Sequence, residues 1–367
     1  MTYLDFNATA PMPDCVTEAV LAAMRQTGNP SSVHEYGRQA RALVESARGE
    51  VARLVGVTPE QIVFTSGATE ANILALRGCG RARVLVSAIE HESVLTATAD
   101  PEIIPVDVTG RIDLGALERL LSEEGTPAIV SVMLANNETG VIQPVAEVAA
   151  LAHAAGALVH CDAVQAPGRI AVDFAALDVD LMSLSAHKLG GPKGVGALIT
   201  RRDLPLRALQ RGGGQERGLR GGTENLPGIA GFGAAAGWVL ECLERASAVA
   251  ALRDDMERRI GEAVPEVRIF GAEAPRLGNT SCIGLAGLGA ETQVMALDLA
   301  GVAVSAGAAC SSGKVKSSHV LEAMGADAAS AGSAIRVSLG PATTQAEIDQ
   351  FVEAWIDLAR RASRDAA

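Results

Sequence analysis

Aromatic side chains are scarce in this sequence: Phe, Trp and Tyr together make up 3% of its 367 residues. Proteins that bind single-stranded nucleic acid stack the bases on aromatic rings, so this class of protein is implausible here. A hydrophobic core has to be built from Ala, Val, Leu and Ile instead. Hydrophobic residues nevertheless account for 48% of the chain and charged residues for only 20%. This composition excludes intrinsic disorder as a description of the whole chain.

Positive charge is also in short supply. There are 31 Lys and Arg residues against 43 Asp and Glu residues, and the formal net charge is −12. Such a balance argues against a surface that follows nucleic-acid phosphates and against binding to anionic lipid. The N-terminus lacks the basic and apolar regions of a signal peptide, and the most apolar stretch, residues 228–240, is too short to span a bilayer. We therefore expect a soluble, cytoplasmic protein with no nucleic-acid or membrane partner.

Cysteines are few and dispersed along the chain. The six are Cys15, Cys79, Cys161, Cys242, Cys282 and Cys310. None forms a C-x-x-C pair, and a chain of this length does not need disulfide staples. We expect reduced thiols, as in a cytoplasmic protein.

Short apolar runs alternate with helical patterns over the first two thirds of the chain. Nearly uninterrupted, β-branched runs predict strands over residues 62–65, 83–87, 128–134, 157–161, 179–184 and 195–200. Apolar periodicity predicts helices over residues 38–55 and 145–155. This alternation indicates an α/β fold with a parallel sheet covered by helices.

A long helical stretch over residues 229–264 then leads to a second region with its own pattern of strands and helices. Strands are predicted there over residues 267–270, 280–283, 302–304 and 335–339, and helices over residues 291–300 and 345–361. A chain of this length is more than one core usually organises. We expect a large domain, residues 14–250, and a smaller α+β domain, residues 251–367 together with residues 1–13.

Polar segments follow several predicted strands, at the carboxyl ends where open parallel sheets bind ligands. Residues 66–70 open a helix, and their small side chains let backbone N–H groups close on an anion. The same pattern is typical of an ordinary capped helix.

In His160-Cys161-Asp162, strand alternation puts His160 and Asp162 on one face and Cys161 on the other. No second ligand cluster stands nearby, so we expect no metal. Asp162 can pair with a cationic ring nitrogen or cap a helix.

Lys188 directly follows an apolar strand and precedes a glycine turn. A lone Lys is usually a solvated surface charge, but at this place its amine can be desolvated and nucleophilic. The sequence has no G-x-x-x-x-G-K-[ST], so Lys188 is not a Walker lysine. An anion-binding turn, a strand-end Asp and a strand-end Lys together suit pyridoxal phosphate. This cofactor needs an amine, a carboxylate for its protonated ring nitrogen and donors for its phosphate.

Nearly the whole chain also resembles the cysteine desulfurases of the class V aminotransferase, fold type I group, of the nitrogen-fixation and iron–sulfur-cluster type. The matching segments are LD (4–5), NAT (7–9), GNPSSVH (28–34), FTSGATE (64–70), EH (90–91), NNETG (136–140), DAVQ (162–165), SLSAHK (183–188), GGGQERG (212–218), GTEN (222–225), ACSS (309–312), HV (319–320) and IRVSL (335–339). The resemblance implies a large domain with a mainly parallel, seven-stranded sheet flanked by helices. It also implies a smaller C-terminal domain that carries a catalytic cysteine loop.

The resemblance implies roles for the residues that hold the cofactor. Lys188 would bind pyridoxal phosphate covalently, Asp162 would face its ring nitrogen, and Gln165 would hydrogen-bond its ring hydroxyl. His91 would stack on the ring and take part in proton transfer. Asn137 would contact both cofactor and substrate. The phosphate would be held by Ala68, Thr69, Ser185 and His187, and by Thr223 of a second subunit.

Cys310 decides the expected reaction. It lies in a run of small residues, 305–313, after an apolar strand, which leaves its sulfur accessible, whereas most cysteines are inert and buried. A thiolate there can attack the sulfur of a bound L-cysteine and leave alanine and a persulfide on Cys310. Lys188 is the expected base, and Arg336 with Asn137 would bind the substrate, since a guanidinium matches a carboxylate. The persulfide would pass to an acceptor or scaffold protein of iron–sulfur cluster assembly.

Some segments depart from the family pattern. Ala308-Ala309 stands where Ser-Ala is more common, Ala10 replaces a second Thr, and residues 314–318 replace a segment that commonly holds an acidic residue and Pro. Housekeeping members of the family carry a longer C-terminal extension that docks the scaffold, and we expect this usual docking mode to be absent here. We expect a changed acceptor surface rather than changed chemistry. The loop over residues 212–222 looks too polar and flexible to pack within its own lobe, which together with Thr223 predicts a homodimer.

Two other functions remain as alternatives. One is another class V enzyme, such as an aminotransferase or a selenocysteine lyase; an aminotransferase does not need a loop cysteine, so Cys310 discriminates. The other is a non-catalytic scaffold that keeps the fold and binds cluster-assembly partners. Intact Lys188, Asp162, His91 and Cys310 count against the scaffold.

Overall fold

A computed structural model describes residues 1–123, 127–307 and 317–365. The strands are β1 (Thr2–Tyr3), β2 (Ile62–Thr65), β3 (Arg83–Ser87), β4 (Glu102–Ile104), β5 (Ala128–Ser131), β6 (Leu158–Asp162), β7 (Leu181–Ser185), β8 (Gly196–Thr200), β9 (Arg268–Phe270), β10 (Thr280–Gly284), β11 (Val302–Ala303), β12 (Ser305–Ala306) and β13 (Ala334–Ser338). The helices are α1 (Asp14–Met24), α2 (Glu35–Leu54), α3 (Ala68–Gly78), α4 (Glu92–Leu95), α5 (Leu114–Ser122), α6 (Val145–Ala154), α7 (Leu226–Cys242), α8 (Ala246–Ala263), α9 (Ala290–Leu299), α10 (His319–Ala323), α11 (Ala328–Ala331) and α12 (Gln345–Asp365).

One sheet has seven strands in the order β2-β8-β7-β6-β5-β3-β4. β8 runs antiparallel to both of its neighbours, and the remaining pairs are parallel. β2, β5, β7 and β8 are buried along their whole length, as strands covered on both faces should be. The predicted α/β fold with a mainly parallel, seven-stranded sheet is confirmed. The short edge strand β4 was not predicted, because it has only three residues, of which Glu102 is half-buried and Ile103 exposed, and gives little apolar signal.

The register of this sheet brings three strand ends together. Asp162 at the end of β6 pairs with Ser183 of β7, and Ser185 at the end of β7 pairs with Gly196 of β8. Gly196 also pairs with Thr65, the last residue of β2. Because β2, β6 and β7 point the same way, their carboxyl ends lie at one edge of the sheet, where ligands bind in such folds.

Helix α7 is buried on most sides and packs closely against α2. A Cβ atom at Gly233 would lie 2.6 Å from the Cα of Ala47, so only glycine permits this approach. The stretch Leu226–Ala263 is apolar and long enough to cross a membrane, but 61% of its most apolar window is buried inside the protein. Such burial is typical of a core helix.

The long helical stretch predicted over residues 229–264 is confirmed, and it consists of two helices. A 3-10 turn at Leu243–Arg245 separates α7 from α8. α7 buries residues around most of its circumference, whereas α8 buries a narrow stripe that includes Met256 and Ile260. A change in hydrogen-bonding pattern between them lets each helix turn its own apolar surface inward.

The second sheet has four antiparallel strands in the order β12-β13-β10-β9. Its core contains Leu4, Met256, Phe351 and Trp355, all fully buried. The Trp355 indole donates a hydrogen bond to Gln293 Oε1 at 2.9 Å, which satisfies the one polar atom of this buried ring. The N-terminal strand β1 pairs with β11 beside this sheet. The division into residues 14–250 and 251–367 stays a prediction.

The glycine-rich loop over residues 212–222 is anchored to the edge of the seven-stranded sheet. Glu216 is 5% exposed and accepts two hydrogen bonds of 2.8 Å from the Arg48 guanidinium. It also accepts a 2.8 Å hydrogen bond from the Phe64 backbone N–H. These contacts hold the backbone of Glu216 and Arg217 at φ values of 45° and 56°, which residues other than glycine rarely adopt. The expectation that this loop does not pack within its own lobe is therefore wrong at Glu216, although residues 212–214, 217–218 and 222 of the loop are exposed.

Candidate active site

A cavity of about 620 Å³ lies at the carboxyl ends of β2, β6 and β7. Its wall includes Ala68, Thr69, His91, Asn137, Asp162, Gln165, Ser185, His187, Lys188 and Arg336, all of which were predicted as site residues. Thr223 is exposed and is not part of this wall. The predicted nucleophile Cys310 lies outside the described residues.

Asp162 closes β6 and is 7% exposed. Its Oδ2 accepts a hydrogen bond from Asn72 Nδ2 at 2.9 Å, and its Oδ1 accepts one from the Val164 backbone N–H at 3.0 Å. Over residues 163–180, all of which are described, no helix begins. The helix-cap alternative for Asp162 is therefore wrong, and its carboxylate instead fixes a turn on the cavity wall.

His160, on the same strand, is held between two serines. Its Nδ1 lies 2.8 Å from Ser131 Oγ and its Nε2 lies 2.9 Å from Ser183 Oγ. Burial lowers the pKa of His160 to about 4, so the imidazole is neutral near pH 7. In the part of the chain that the structure describes, no group of three or more His, Cys, Asp or Glu side chains is arranged to hold a metal ion.

Acidification is expected to destabilise the fold through His160. The unfolded chain takes up a proton below the ordinary pKa of 6.5, whereas folded His160 takes it up only near pH 4. Between pH 6.5 and about pH 4 the unfolded state therefore binds more protons than the folded state. The free energy of unfolding falls by about 3 kcal/mol as the pH is lowered through this range. Urea unfolding across this range should show this loss in the wild type and its absence in His160→Gln. The same pH dependence in both proteins would contradict the assignment.

A chain of hydrogen bonds connects His91 to Asp162. The His91 Nδ1 accepts from the Ser93 backbone N–H at 3.1 Å and lies 2.8 Å from Ser93 Oγ. Asn72 Nδ2 donates to Ser93 Oγ at 2.9 Å as well as to Asp162. Because Nδ1 is an acceptor, neutral His91 carries its proton on Nε2. Sequence reasoning missed Asn72, whose side chain lies inside an apolar helix and gives no separate signal.

The start of α3 forms the part of the wall suited to an anion. Ala68 and Thr69 line the cavity in the first turn of this helix, which has no side-chain cap at its N-terminus. Uncapped backbone N–H groups at a helix start bind phosphate well, which favours the anion site over the capped-helix alternative. Ser185 and His187 follow β7 onto the same wall. Burial, together with the Lys188 charge, lowers the pKa of His187 to about 4, so its imidazole is neutral.

The N-terminal segment completes the wall next to Lys188. The Lys188 Nζ donates to the Asn7 carbonyl at 2.6 Å and to the Ala8 carbonyl at 2.9 Å. Gln165 Nε2 donates to the same Asn7 carbonyl at 3.1 Å. Asn7 and Ala8 belong to a segment that matches the family, but sequence reasoning assigned them no role. Backbone carbonyls leave no trace in a residue pattern, so no signal pointed to these contacts.

Arg336 reaches the cavity from β13 and is 4% exposed. Its Nη2 donates to Asp5 Oδ1 at 2.8 Å, and its Nη1 donates to the Asn137 carbonyl at 3.1 Å. The Arg336 Nε has no hydrogen-bond partner among the described residues. The guanidinium is therefore fixed in place and keeps unused capacity for a carboxylate ligand.

This fold and this cavity define a class of protein. Residues 2–351 match the family Aminotransferase class-V, and the chain belongs to this family. The chain is 44% identical over 366 residues to "Cysteine desulfurase" from Cereibacter sphaeroides, covering 96% of this chain and 94% of the relative. It is 42% identical over 366 residues to "Cysteine desulfurase" from Sinorhizobium fredii, covering 95% of this chain and 94% of the relative. The resemblance found in the sequence is thus confirmed.

A solved structure supports the same conclusion about the fold. The X-ray structure of a NifS-like protein from Rickettsia africae superposes with a TM-score of 0.91 at 35% identity, covering 98% of this chain and 99% of that chain. The predicted fold class is confirmed across both sheets, since nearly the full length of both chains is matched.

Proposed function

We propose that this chain is a pyridoxal phosphate-dependent cysteine desulfurase, which converts L-cysteine to L-alanine and holds the sulfur as a persulfide on Cys310. One observation carries the proposal: Lys188, Asp162 and Arg336 meet in one cavity beside an uncapped helix start. An amine, a buried carboxylate, a guanidinium and an anion site are the groups that such a reaction needs. The two curated relatives carry the name of this activity.

The residues present fit pyridoxal phosphate. Lys188 supplies the amine that binds it, Asp162 the carboxylate for its ring nitrogen, and Gln165 a donor for its ring hydroxyl. His91 would stack on the ring, and Asn137 would contact cofactor and substrate; both line the cavity. The phosphate would be held by Ala68, Thr69, Ser185 and His187 of the cavity wall, with Thr223 of a second copy. When bound, the cofactor withdraws electrons from the substrate Cα.

The side chains of this protein have distinct tasks in the reaction. Arg336 and Asn137 bind the substrate carboxylate and fix its Cα. The Lys188 amine removes the Cα proton and later returns it. The Cys310 thiolate attacks the substrate sulfur, so that an S–S bond forms as the C–S bond breaks. The electron pair stays on the carbon, which takes up one proton and becomes the methyl group of alanine. The two sulfurs together lose the two electrons that this carbon gains.

The persulfide on Cys310 is then passed to an acceptor or scaffold protein of iron–sulfur cluster assembly in the cytoplasm.

The working form is a homodimer. Thr223 is exposed on its own chain, where it is available to the cavity of a second copy. Large apolar side chains are also exposed on and after α1, among them Leu21, Met24 and Tyr36 at 50%, 66% and 61%. Large apolar side chains exposed along one stretch of the chain fit a surface that another protein covers.

The decisive test measures cysteine-dependent alanine formation by the purified full-length protein while mass spectrometry maps the persulfide. We expect alanine and a sulfur adduct of 32 Da at Cys310, a value set by the mass of one sulfur atom. Transfer of the amino group to a keto acid, without any persulfide, would instead establish an aminotransferase. A colourless protein, in which borohydride fixes no cofactor on Lys188, would establish the non-catalytic scaffold.

A further inference from the structure

Asn7 contacts three of the residues assigned to the site. Its carbonyl accepts the hydrogen bonds from Lys188 Nζ at 2.6 Å and Gln165 Nε2 at 3.1 Å, and its Nδ2 donates to the Asn137 carbonyl at 3.2 Å. The residue is fully buried. A buried asparagine with this many bonds has one fixed orientation.

The opposite side of Asn7 is tied to the four-stranded sheet. Its backbone N–H donates to Ser338 Oγ of β13 at 3.0 Å, and its Nδ2 donates to Thr280 Oγ1 of β10 at 2.9 Å. Its Oδ1 accepts from Asn279 Nδ2 at 3.1 Å. Asn7 therefore fixes the N-terminal turn, residues 5–8, against the four-stranded sheet. The carbonyls of this turn face the ligand cavity at the edge of the seven-stranded sheet.

Two of these carbonyls, of Asn7 and Ala8, point at the same Lys188 nitrogen. An ammonium group has three donors and no acceptor, so a pair of carbonyl oxygens is a suitable holder for it. We propose that Asn7 is a positioning residue that holds the Lys188 amine beside the substrate Cα whenever the amine is not covalently bound to the cofactor. This inference rests on the proposed function, which makes Lys188 the cofactor lysine.

Removal of the Asn7 side chain should leave the protein folded, because each of its side-chain partners keeps a second hydrogen bond. The Asn137 carbonyl keeps the bond from Arg336 Nη1, and Asn279 Nδ2 keeps its bond to the Leu339 carbonyl. Thr280 Oγ1 keeps its 2.9 Å bond to Asn279 Oδ1. No buried partner is left unsatisfied, which is the usual cause of a large loss of stability.

The test is a brief acetylation with acetic anhydride of the full-length chain freed of its cofactor, read out by mass spectrometry at individual lysines. Exposed Lys193 is the internal reference for the reactivity of Lys188. An amine held between two carbonyl oxygens reacts slowly. Asn7→Ala keeps the backbone carbonyl but removes the side-chain bonds that fix the turn, so the carbonyls can move away from Lys188 Nζ. The ratio of Lys188 to Lys193 labelling should then rise roughly tenfold, the size of effect expected when one of the two bonds to Nζ is lost.

Two further variants make the result specific. Thr280→Val loosens the same turn from the other side and should raise the ratio in the same direction, by roughly threefold. Thr2→Val removes the 2.8 Å bond from Thr2 Oγ1 to Gln350 Oε1, which ties β1 to α12, and should leave the ratio unchanged. Ratios within twofold of wild type in both Asn7→Ala and Thr280→Val would overturn the proposal. So would an equal rise in Thr2→Val, which would mean general loosening of the N-terminus.

The cofactor-loaded enzyme provides an independent readout. Asn7→Ala should lower kcat for alanine formation and leave KM within about twofold of wild type, because the substrate carboxylate is bound by Arg336. A raised KM with unchanged kcat would contradict a role at Lys188. Should the wild type form no alanine from cysteine while the labelling ratios still shift, the proposed function fails, and only the holding of the Lys188 amine by the turn that Asn7 fixes stands.

Discussion

Cys310→Ala is expected to lose alanine formation from cysteine by roughly a thousandfold or more, because the substituted side chain has no nucleophile. The variant should still bind pyridoxal phosphate on Lys188, since Cys310 has no part in holding it. Cysteine consumption, alanine formation and the cofactor absorbance of wild type and variant measure both effects. Retention of the visible absorbance with loss of turnover is the expected pattern.

The buried thiols cannot replace Cys310. Burial raises the pKa of Cys79, Cys161 and Cys282, and it raises the pKa of Cys242 to about 11. A thiol that stays protonated near pH 7 is a poor nucleophile. These four side chains should therefore remain free of persulfide in the wild type and in Cys310→Ala.

Cys15→Ala provides the matched control, because Cys15 is an exposed thiol outside the cavity wall. This variant should retain wild-type turnover and persulfide at Cys310. Full desulfurase activity in Cys310→Ala, or a catalytically competent persulfide on Cys15, would remove Cys310 from the proposed reaction.

Asp162→Asn is expected to lower kcat by roughly a hundredfold, which is the size of effect found when one charged or preorganised group is removed at a reacting centre. The neutral amide no longer favours the protonated ring nitrogen of the cofactor. It also turns an NH₂ group toward Asn72 Nδ2 or the Val164 N–H, both of which are donors to Asp162. A changed absorbance of the bound cofactor should accompany the loss of turnover.

Asp180→Asn is a suitable comparison for this variant. Asp180 is also a buried aspartate, 3% exposed, and it accepts a 2.8 Å hydrogen bond from the Val159 backbone N–H. It stands just before β7, at the opposite end of the sheet from the cavity. Asp180→Asn should lose stability but keep kcat per bound cofactor. Equal losses of kcat in the two variants would mean that Asp162 acts only through the fold.

Local patterns were sufficient to predict where Asp162 and Lys188 lie. Both follow runs of apolar residues that can only be buried strands, and the carboxyl ends of parallel strands lie at a common edge. The same rule placed Ala68 and Thr69 at a helix start. Each of these positions is set by one strand and the residues directly after it. A short segment of the sequence is therefore enough to predict it.

The remaining contacts depend on residues far apart in the chain. Asn72 and Asp162 are 90 positions apart, and Lys188 reaches the Ala8 carbonyl across 180 positions. Arg336 was assigned only through the family resemblance, because a lone Arg on a short strand is typical of a surface. The wrong expectation for the glycine-rich loop has the same origin: Glu216 and Arg48 are 168 positions apart, and polarity alone could not reveal their pairing.

The pairing of Arg48 with Glu216 also has a consequence for the behaviour of the protein at high concentration. β2 is an outer strand of the seven-stranded sheet, and an unpaired outer strand is a template for aggregation. Here the Ile62 carbonyl accepts hydrogen bonds from Arg48 and Arg217, and the Phe64 N–H donates to Glu216. Charged side chains thus occupy the backbone groups to which a strand of another molecule would bind.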